Sequence, residues 1–211
     1  MSPDPQPAAR SASARPAPVR PGPARSAPAR PASAGPAPVR RAPDIRPLMA
    51  EFPSGVSVVT AIAGDGAPRG MTCTSLCSVS LDPPIVLVCL GSGSNTLKAV
   101  RESGSFAINL LHAQGRSTAE LFASGALDRF DRVAWRAEAG DAGPHLTEDA
   151  HIIADCSVVG DQVVGDHAVL MGEVRAAVPV RREPPLLYGL RRFSVWPHPV
   201  DASQAVRDTV G

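Results

Sequence analysis

The stretch GMTCTSLCSVSLDPP (70–84) is dense in small hydroxyl side chains and carries a single charged residue, Asp82. Its hydroxyl-bearing residues are Thr72, Thr74, Ser75, Ser78 and Ser80. Such side chains donate and accept hydrogen bonds without bulk, so a ligand can come close to the backbone beside them. On these residues alone, ordinary alternation along a β-strand is the favoured interpretation, and ligand binding is the alternative.

A second candidate is GSGSNT (91–96), which follows an apolar run and opens a helical pattern. It is not a dinucleotide-binding loop, because Thr96 stands where G-x-G-x-x-G requires the last glycine and no acidic residue ends a second strand downstream. A helix start can still bind phosphate through its backbone N–H groups. Taken alone, the stretch favours simple capping of the helix by Ser94.

Other catalytic patterns are missing from the sequence. It contains no G-x-S-x-G and no H-E-x-x-H, so neither a hydrolase nor a zinc protease is indicated. The pair Cys73 and Cys77 has no second pair at ligand spacing, so we predict no metal site. Buried free thiols are the expected state of Cys73, Cys77, Cys89 and Cys156. A single histidine at a strand start, such as His167, is by itself typical of a structural or surface position.

The elements that would position these residues are mostly strands. Patterns of β-branched and apolar residues predict seven of them, at 56–63, 69–80, 85–90, 105–112, 151–164, 166–180 and 186–196. Short helices are predicted at 91–104 and 115–124, each ending at a glycine. The first two strands flank an Asp-Gly turn, which is a hairpin signal. Strands that outnumber helices favour a closed or split β-barrel with helices at its ends over a doubly wound sheet.

The N-terminal segment 1–43 differs sharply in composition from the rest of the chain. It consists almost wholly of Pro, Ala, Ser and Arg, and it carries seven arginines and one acid, a formal charge of +6. The overall charge of +1 therefore leaves −5 on the remainder. We predict a disordered tail over 1–43, one domain over 44–197 and a second tail over 198–211. The first tail has no aromatic residue for base stacking, so nucleic acid is not a favoured partner.

The sequence also bears on location. No run of 18 apolar residues exists in it, so a membrane span is not expected. Frequent prolines prevent residues 1–43 from forming the amphipathic helix of a transit peptide. We therefore expect a cytoplasmic protein.

Five motifs, taken together and in order, resemble one known family. They are FPSGVSVVT (52–60), GMTCTSLCSVSLDPPIVLVCL (70–90), SNT (94–96), GSFAINLL (104–111) and GDHAVLMGEV (165–174). This pattern is similar to the flavin reductase-like family of FMN-binding split barrels, the short-chain NAD(P)H:flavin oxidoreductases of two-component monooxygenases. The resemblance implies a mainly β, Greek-key split barrel with FMN or FAD and with NADH or NADPH as co-substrate. It further implies a homodimer and a partner flavin-dependent monooxygenase.

The resemblance also assigns roles to residues. The cofactor-binding residues that it implies are Ser54, Gly55, Val56, Thr72, Cys73, Thr74, Ser75, Cys89, Ser94, Thr96, Asn109 and Phe193. Among them Ser94 and Thr96 match the phosphate-binding helix start, and Phe193 would shelter the nicotinamide together with Tyr188. His167 is the implied catalytic residue, placed near the nicotinamide carboxamide. Leu76 and Cys77 depart from the family pattern, which leaves the choice between FMN and FAD open.

Two alternatives to a reductase stay open. The first is a flavin carrier of the same fold that holds FMN for electron transfer and does not oxidise NAD(P)H. The second is an adaptor that binds nucleic acid or an acidic partner through the arginine-rich tail, with the barrel as a scaffold. The histidine of the GDH motif (165–167) favours the reductase, because a carrier needs no nicotinamide site.

Overall fold

The computed structural model describes residues 43–196, so the predicted tails, Pro43 apart, lie outside the described residues. Its helices are Arg46–Ala50 (α1), Asn95–Ser103 (α2) and Arg116–Ser124 (α3), with a 3-10 helix at Arg129–Asp131. Its strands are Ser54–Gly55 (β1), Ser57–Ile62 (β2), Pro68–Cys73 (β3), Cys77–Leu81 (β4), Pro84–Gly91 (β5), Ser105–Leu111 (β6), Ala150–Val164 (β7), His167–Pro179 (β8), Leu186–Gly189 (β9) and Arg192–Val195 (β10). None of the helices in this range is long and apolar enough to cross a lipid bilayer.

The strands form two antiparallel sheets. The larger has seven strands in the order β3-β2-β6-β7-β8-β5-β4, and the smaller has three in the order β1-β9-β10. One face of α2 lies in the main core, where Leu97 and Val100 pack with Val59 and Phe106 of the large sheet. The predicted fold class, mainly β with short helices, is confirmed.

Local signals in the sequence set several of the boundaries. The hydroxyl of Ser94 accepts a hydrogen bond from Leu97 N at 3.1 Å, as expected of a helix N-cap. Helix α2 ends where Gly104 adopts a φ of 68°, a left-handed conformation that glycine reaches without strain. Gly165, at a φ of 62°, makes the turn between β7 and β8. All three features were predicted.

The predicted strand 69–80 is wrong as one element, because it divides between the two edges of the large sheet. β3 ends at Cys73 and β4 begins at Cys77. Across this split, Ser75 Oγ accepts a hydrogen bond from Cys89 N at 2.8 Å and lies 3.3 Å from Cys89 O. A side chain therefore supplies the link between β3 and β5 that a backbone ladder would otherwise make.

The predicted final strand 186–196 is also wrong as one element, since it is the hairpin β9–β10. Its turn contains Leu190 and Arg191 at φ values of 51° and 58°. Such turns normally carry Asn or Gly at these positions, so no turn signal in the sequence predicts the break. The hairpin places Phe193 directly opposite Tyr188.

The four cysteines are free, as predicted, but they are not all buried. Cys73 and Cys156 are buried, Cys89 is half-buried and Cys77 is exposed. Burial raises the pKa of the Cys156 thiol to about 12 and also raises the pKa of Cys73. Cys77 is exposed because it begins β4, an edge strand of the large sheet.

Candidate active site

Strand β3 and the residues that continue it run past three cavities. The first, which we call the arginine cavity, measures about 490 Å³ and is lined by 68–71, by 93–96 at the start of α2, and by residues between Phe122 and Phe130. The second, the aromatic cavity, measures about 460 Å³ and has Thr72, Thr74, Tyr188 and Phe193 in its wall. The third, the helix cavity, measures about 810 Å³ and lies between α1 and residues 74–77. The hydroxyl-rich stretch thus borders all three.

Of the three hydroxyls at 72–75, two hold the strand in place. Thr72 Oγ1 donates to Ala119 O at 2.7 Å, which ties β3 to α3, and Ser75 ties it to β5. Thr74 is the exception, since it is exposed and lines both the aromatic and the helix cavity. The hydroxyl left free to meet a ligand is therefore that of Thr74, while its neighbours fix the backbone beside it.

The aromatic cavity is walled by side chains from separate parts of the chain. The rings of Tyr188 and Phe193 lie edge to face with centroids 5.1 Å apart, and the guanidinium of Arg116 lies 5.6 Å above the Phe193 ring. Ser54 pairs with Tyr188 in the small sheet and lines the neighbouring helix cavity. Predicted residues Thr72, Thr74, Ser54 and Phe193 are thereby brought together.

The helix start contributes to the arginine cavity. Both Ser94 and Thr96 line it, although the Ser94 hydroxyl caps α2 and Thr96 is buried. Two cations that sequence reasoning missed, Arg69 and Arg129, lie in the same wall. They are far apart in the chain and belong to no motif, so the sequence carried no signal for them.

Several predicted cofactor-binding residues lie elsewhere. Val56 and Cys73 are buried in the core, Cys89 lies on β5, and Gly55 is exposed on β1. None of them is in the wall of the three cavities. Their contact with a flavin stays a prediction.

Asn109 is also buried, and its amide group is used within the protein. Its Nδ2 lies 3.2 Å from Val58 O, 3.1 Å from Thr60 Oγ1 and 3.2 Å from Pro144 O. Its Oδ1 accepts a hydrogen bond from Leu146 N at 2.8 Å. These bonds give Asn109 a structural role, because they join β2 and β6 to the segment that precedes β7.

His167 opens β8, as predicted, and pairs with Gly91 at the end of β5. The carbonyl of Asp166 accepts a hydrogen bond from Ser92 N at 2.9 Å, so the GDH turn lies against the loop that opens α2. His167 Nδ1 lies 2.8 Å from the Asp166 carboxylate, and this hydrogen bond lowers the pKa of Asp166. When Nδ1–H donates to this carboxylate, Nε2 of the neutral ring carries no proton and can accept a hydrogen bond. His167 is outside the walls of the three cavities.

A buried polar cluster lies away from these cavities. His145 Nε2 is 2.9 Å from Asp155 Oδ1, and His145 Nδ1 is 3.6 Å from Asp141 Oδ2. The three side chains are close enough to share a metal ion. Both carboxylates also accept backbone hydrogen bonds, from Ala142 N at 2.7 Å and from Glu138 N at 2.7 Å. Hydrogen bonding therefore explains the cluster without an ion.

The chain has close relatives among characterised proteins. Residues 49–197 match the family described as flavin reductase like domain. The chain is 53% identical over 155 residues to flavin reductase (NADPH) of Lentzea aerocolonigenes, covering 74% of this chain and 90% of that protein. It is 38% identical over 144 residues to the reductase subunit of a flavin-dependent monooxygenase from Rhodococcus jostii (strain RHA1), covering 68% and 72%.

The fold has close relatives as well. An NADH:FAD oxidoreductase from Streptomyces globisporus C-1027, solved in complex with NAD and FAD fragments, superimposes with a TM-score of 0.68. The two chains are 32% identical, and the match covers 75% of this chain and 93% of the other. The likeness therefore extends over sequence and fold alike, and this chain belongs to the flavin reductase-like family.

Proposed function

We propose that this protein transfers a hydride from NADH or NADPH to FMN or FAD and supplies the reduced flavin to a partner flavin-dependent monooxygenase. The observation that carries the proposal is the order of the surfaces along 68–77. A cationic cavity comes first, a hydroxyl with an aromatic pair second, and a wide cavity third. A flavin has its phosphate, ribityl chain and ring system in this same order, with the ring beside Thr74 and Tyr188, which line both the aromatic and the helix cavity. The residues present therefore fit the cofactor.

The flavin, when bound, supplies the chemistry by accepting a hydride from the nicotinamide at its N5 atom. The contribution of the chain is to position the two rings and to keep water away from them. Tyr188 and Phe193 form an apolar wall for this purpose, and Thr74 offers a hydroxyl beside it. Burial raises the pKa of Cys73, so its thiol stays protonated and adds no negative charge to the site. No strong acid or base is required.

We assign His167 to positioning the nicotinamide. The Asp166 carboxylate accepts a hydrogen bond from Nδ1–H, so Nε2 can accept a hydrogen bond from the carboxamide N–H. The ring is exposed, and a mobile co-substrate can therefore reach it. In hydride transfer itself, the only role of this histidine is to orient the nicotinamide.

We also propose that the protein is a homodimer. β4 is an edge strand of the large sheet, and its Val79 and Leu81 are 48% and 89% exposed. An apolar edge strand left bare invites aggregation, and a two-fold partner would cover it. The cytoplasmic location stays a prediction.

The flavin carrier is the alternative that shares this site, and one assay separates it from the reductase. NADH and NADPH oxidation is followed with and without FMN, FAD or riboflavin. We expect oxidation that requires flavin and saturates with it. Tight FMN binding without oxidation of either nucleotide would instead establish the carrier.

The same assay tests His167. In His167→Ala we expect the KM for the nucleotide to rise by roughly three- to tenfold, the worth of one hydrogen bond, with the flavin KM unchanged. Gln162→Ala, an exposed change on the same hairpin, is the matched control. Unchanged nucleotide kinetics in His167→Ala would contradict the assigned role.

A further inference from the structure

The helix cavity carries a positive charge that the protein does not neutralise. Three charged residues line this cavity, namely Asp44, Arg46 and Arg191. Arg46 donates two hydrogen bonds to the Asp44 carboxylate, at 2.8 and 2.9 Å, so the charges of this pair cancel. Within residues 43–196, no ion pair and no hydrogen bond involves the guanidinium of Arg191. The wall therefore has a net positive charge, and the N–H donors of Arg191 are available to a ligand.

The other arginines near the end of the described chain are placed differently. Arg181 forms an ion pair with Glu148. Arg182 and Arg192 are exposed, and neither lines the arginine, aromatic or helix cavity. Of these four arginines, Arg191 is the one that lines a cavity and has no counter-charge there.

The backbone that carries Arg191 is held in one place. Leu190 N donates to Ala50 O at 2.6 Å, which ties the turn between β9 and β10 to α1. Arg191 itself has a φ of 58°, a left-handed conformation that is unfavourable for a residue with a Cβ atom. Residues held in such conformations are concentrated at functional sites. The turn therefore presents the guanidinium to the cavity from a fixed point.

The helix cavity also has the position and the size to hold part of the co-substrate. The flavin ring of the proposed site lies beside Thr74 and Tyr188, which line both the aromatic and the helix cavity. Hydride transfer requires the nicotinamide to lie against that ring, so the rest of the nucleotide extends into a neighbouring space. The helix cavity, at about 810 Å³, is larger than the aromatic cavity, at about 460 Å³. The charged residue in the aromatic wall is Glu120, whose carboxylate disfavours a phosphate there.

We propose that Arg191 binds the 2′-phosphate of NADPH and makes this enzyme prefer NADPH to NADH. The inference rests on the proposed function. The two nucleotides differ only in this phosphate on the adenosine ribose, so a cation that contacts it acts on NADPH and not on NADH. A guanidinium suits this role because its planar N–H groups match the paired oxygens of a phosphate.

Oxidation of NADPH and NADH at saturating FMN tests the proposal, together with calorimetric titration of NADP⁺ and NAD⁺. We expect the parent to have the lower KM for NADPH. Arg191→Gln should raise that KM and weaken NADP⁺ binding by roughly 10- to 100-fold, the loss of a charged hydrogen bond. The values for NADH and NAD⁺ should change by less than about twofold. Arg191→Lys should keep part of the preference, because it retains the charge but not the paired donors.

Arg192→Gln is the matched control, because it removes an adjacent exposed arginine that is outside the cavity wall. We expect it to leave the constants for both nucleotides unchanged. A loss of NADPH preference in Arg192→Gln as large as that in Arg191→Gln would show a general effect of surface charge and would refute the assignment.

The comparison of the two nucleotides separates a contact with the 2′-phosphate from other roles. If Arg191→Gln weakens NADP⁺ and NAD⁺ equally, Arg191 contacts a part that both share or only holds the turn, and the proposal is wrong. It is also wrong if the parent uses NADH as well as NADPH, although the reductase function then stands. If NADP⁺ binds more tightly than NAD⁺ through Arg191 but neither NADPH nor NADH is oxidised, the phosphate site stands and the reductase falls. If no nucleotide binds or is oxidised, both fall.

Discussion

Asn109→Leu is expected to lower the free energy of unfolding by about 3 kcal/mol. The buried amide of Asn109 joins Val58 O, Pro144 O and Leu146 N. Leucine has the same number and branching of heavy atoms but no polar atom, so it leaves Leu146 N without its Asn109 partner in the core and removes the other bonds as well. An unpaired buried polar group costs about 1 to 3 kcal/mol. Urea denaturation followed by circular dichroism measures the change.

A matched control separates the lost hydrogen bonds from the effect of a new leucine. Gln162→Leu places the same side chain on an exposed strand position, and we expect it to stay within about 0.5 kcal/mol of the parent. A loss below about 1 kcal/mol in Asn109→Leu would show that the network contributes little. The structural role assigned to Asn109 would then be wrong.

Thr74→Trp is expected to remove flavin binding while leaving the fold intact. Thr74 is exposed, follows the end of β3, and lines both the aromatic and the helix cavity. An indole there would occupy the space proposed for the flavin ring. We expect flavin affinity to fall by at least about 100-fold, the equivalent of about 2.7 kcal/mol. A fluorescence titration measures it.

The unfolding temperature of Thr74→Trp should stay close to that of the parent, because the change meets no core residue. Val178→Trp serves as the control, since Val178 is also exposed and is outside the walls of the three cavities. It should bind flavin normally. Binding by Thr74→Trp within about threefold of the parent would place the flavin ring elsewhere.

The features that could be predicted from the sequence depend on neighbours in the chain. Ser94 caps α2 through a residue three positions away, and Gly104 and Gly165 adopt left-handed conformations that few other residues accept. The hairpin of β2 and β3 follows from an Asp-Gly turn. Because these interactions join residues that are close in the chain, short stretches of sequence predict them.

The features that escaped prediction depend on residues far apart in the chain. The hydroxyl of Ser75 links the segment after β3 to β5, although the position of Ser75 in the sequence fits an ordinary strand. Arg69 and Arg129 share a cavity only because the fold brings β3 to the 3-10 helix. Asn109 lies in a strand motif that suggested a ligand contact, but its amide bonds to β2 and to the segment 144–146 in the core. Composition and spacing do not encode these contacts.

The most direct test of the site is the position of FMN in a crystal structure of the complex. We expect the ring beside Thr74, within reach of Tyr188 and Phe193, and the phosphate between the start of α2 and Arg129. FMN bound at another surface, with the cavities along 68–77 empty, would contradict the proposed site. It would leave the family membership unchanged and remove the ligand-binding role proposed for the hydroxyl of Thr74.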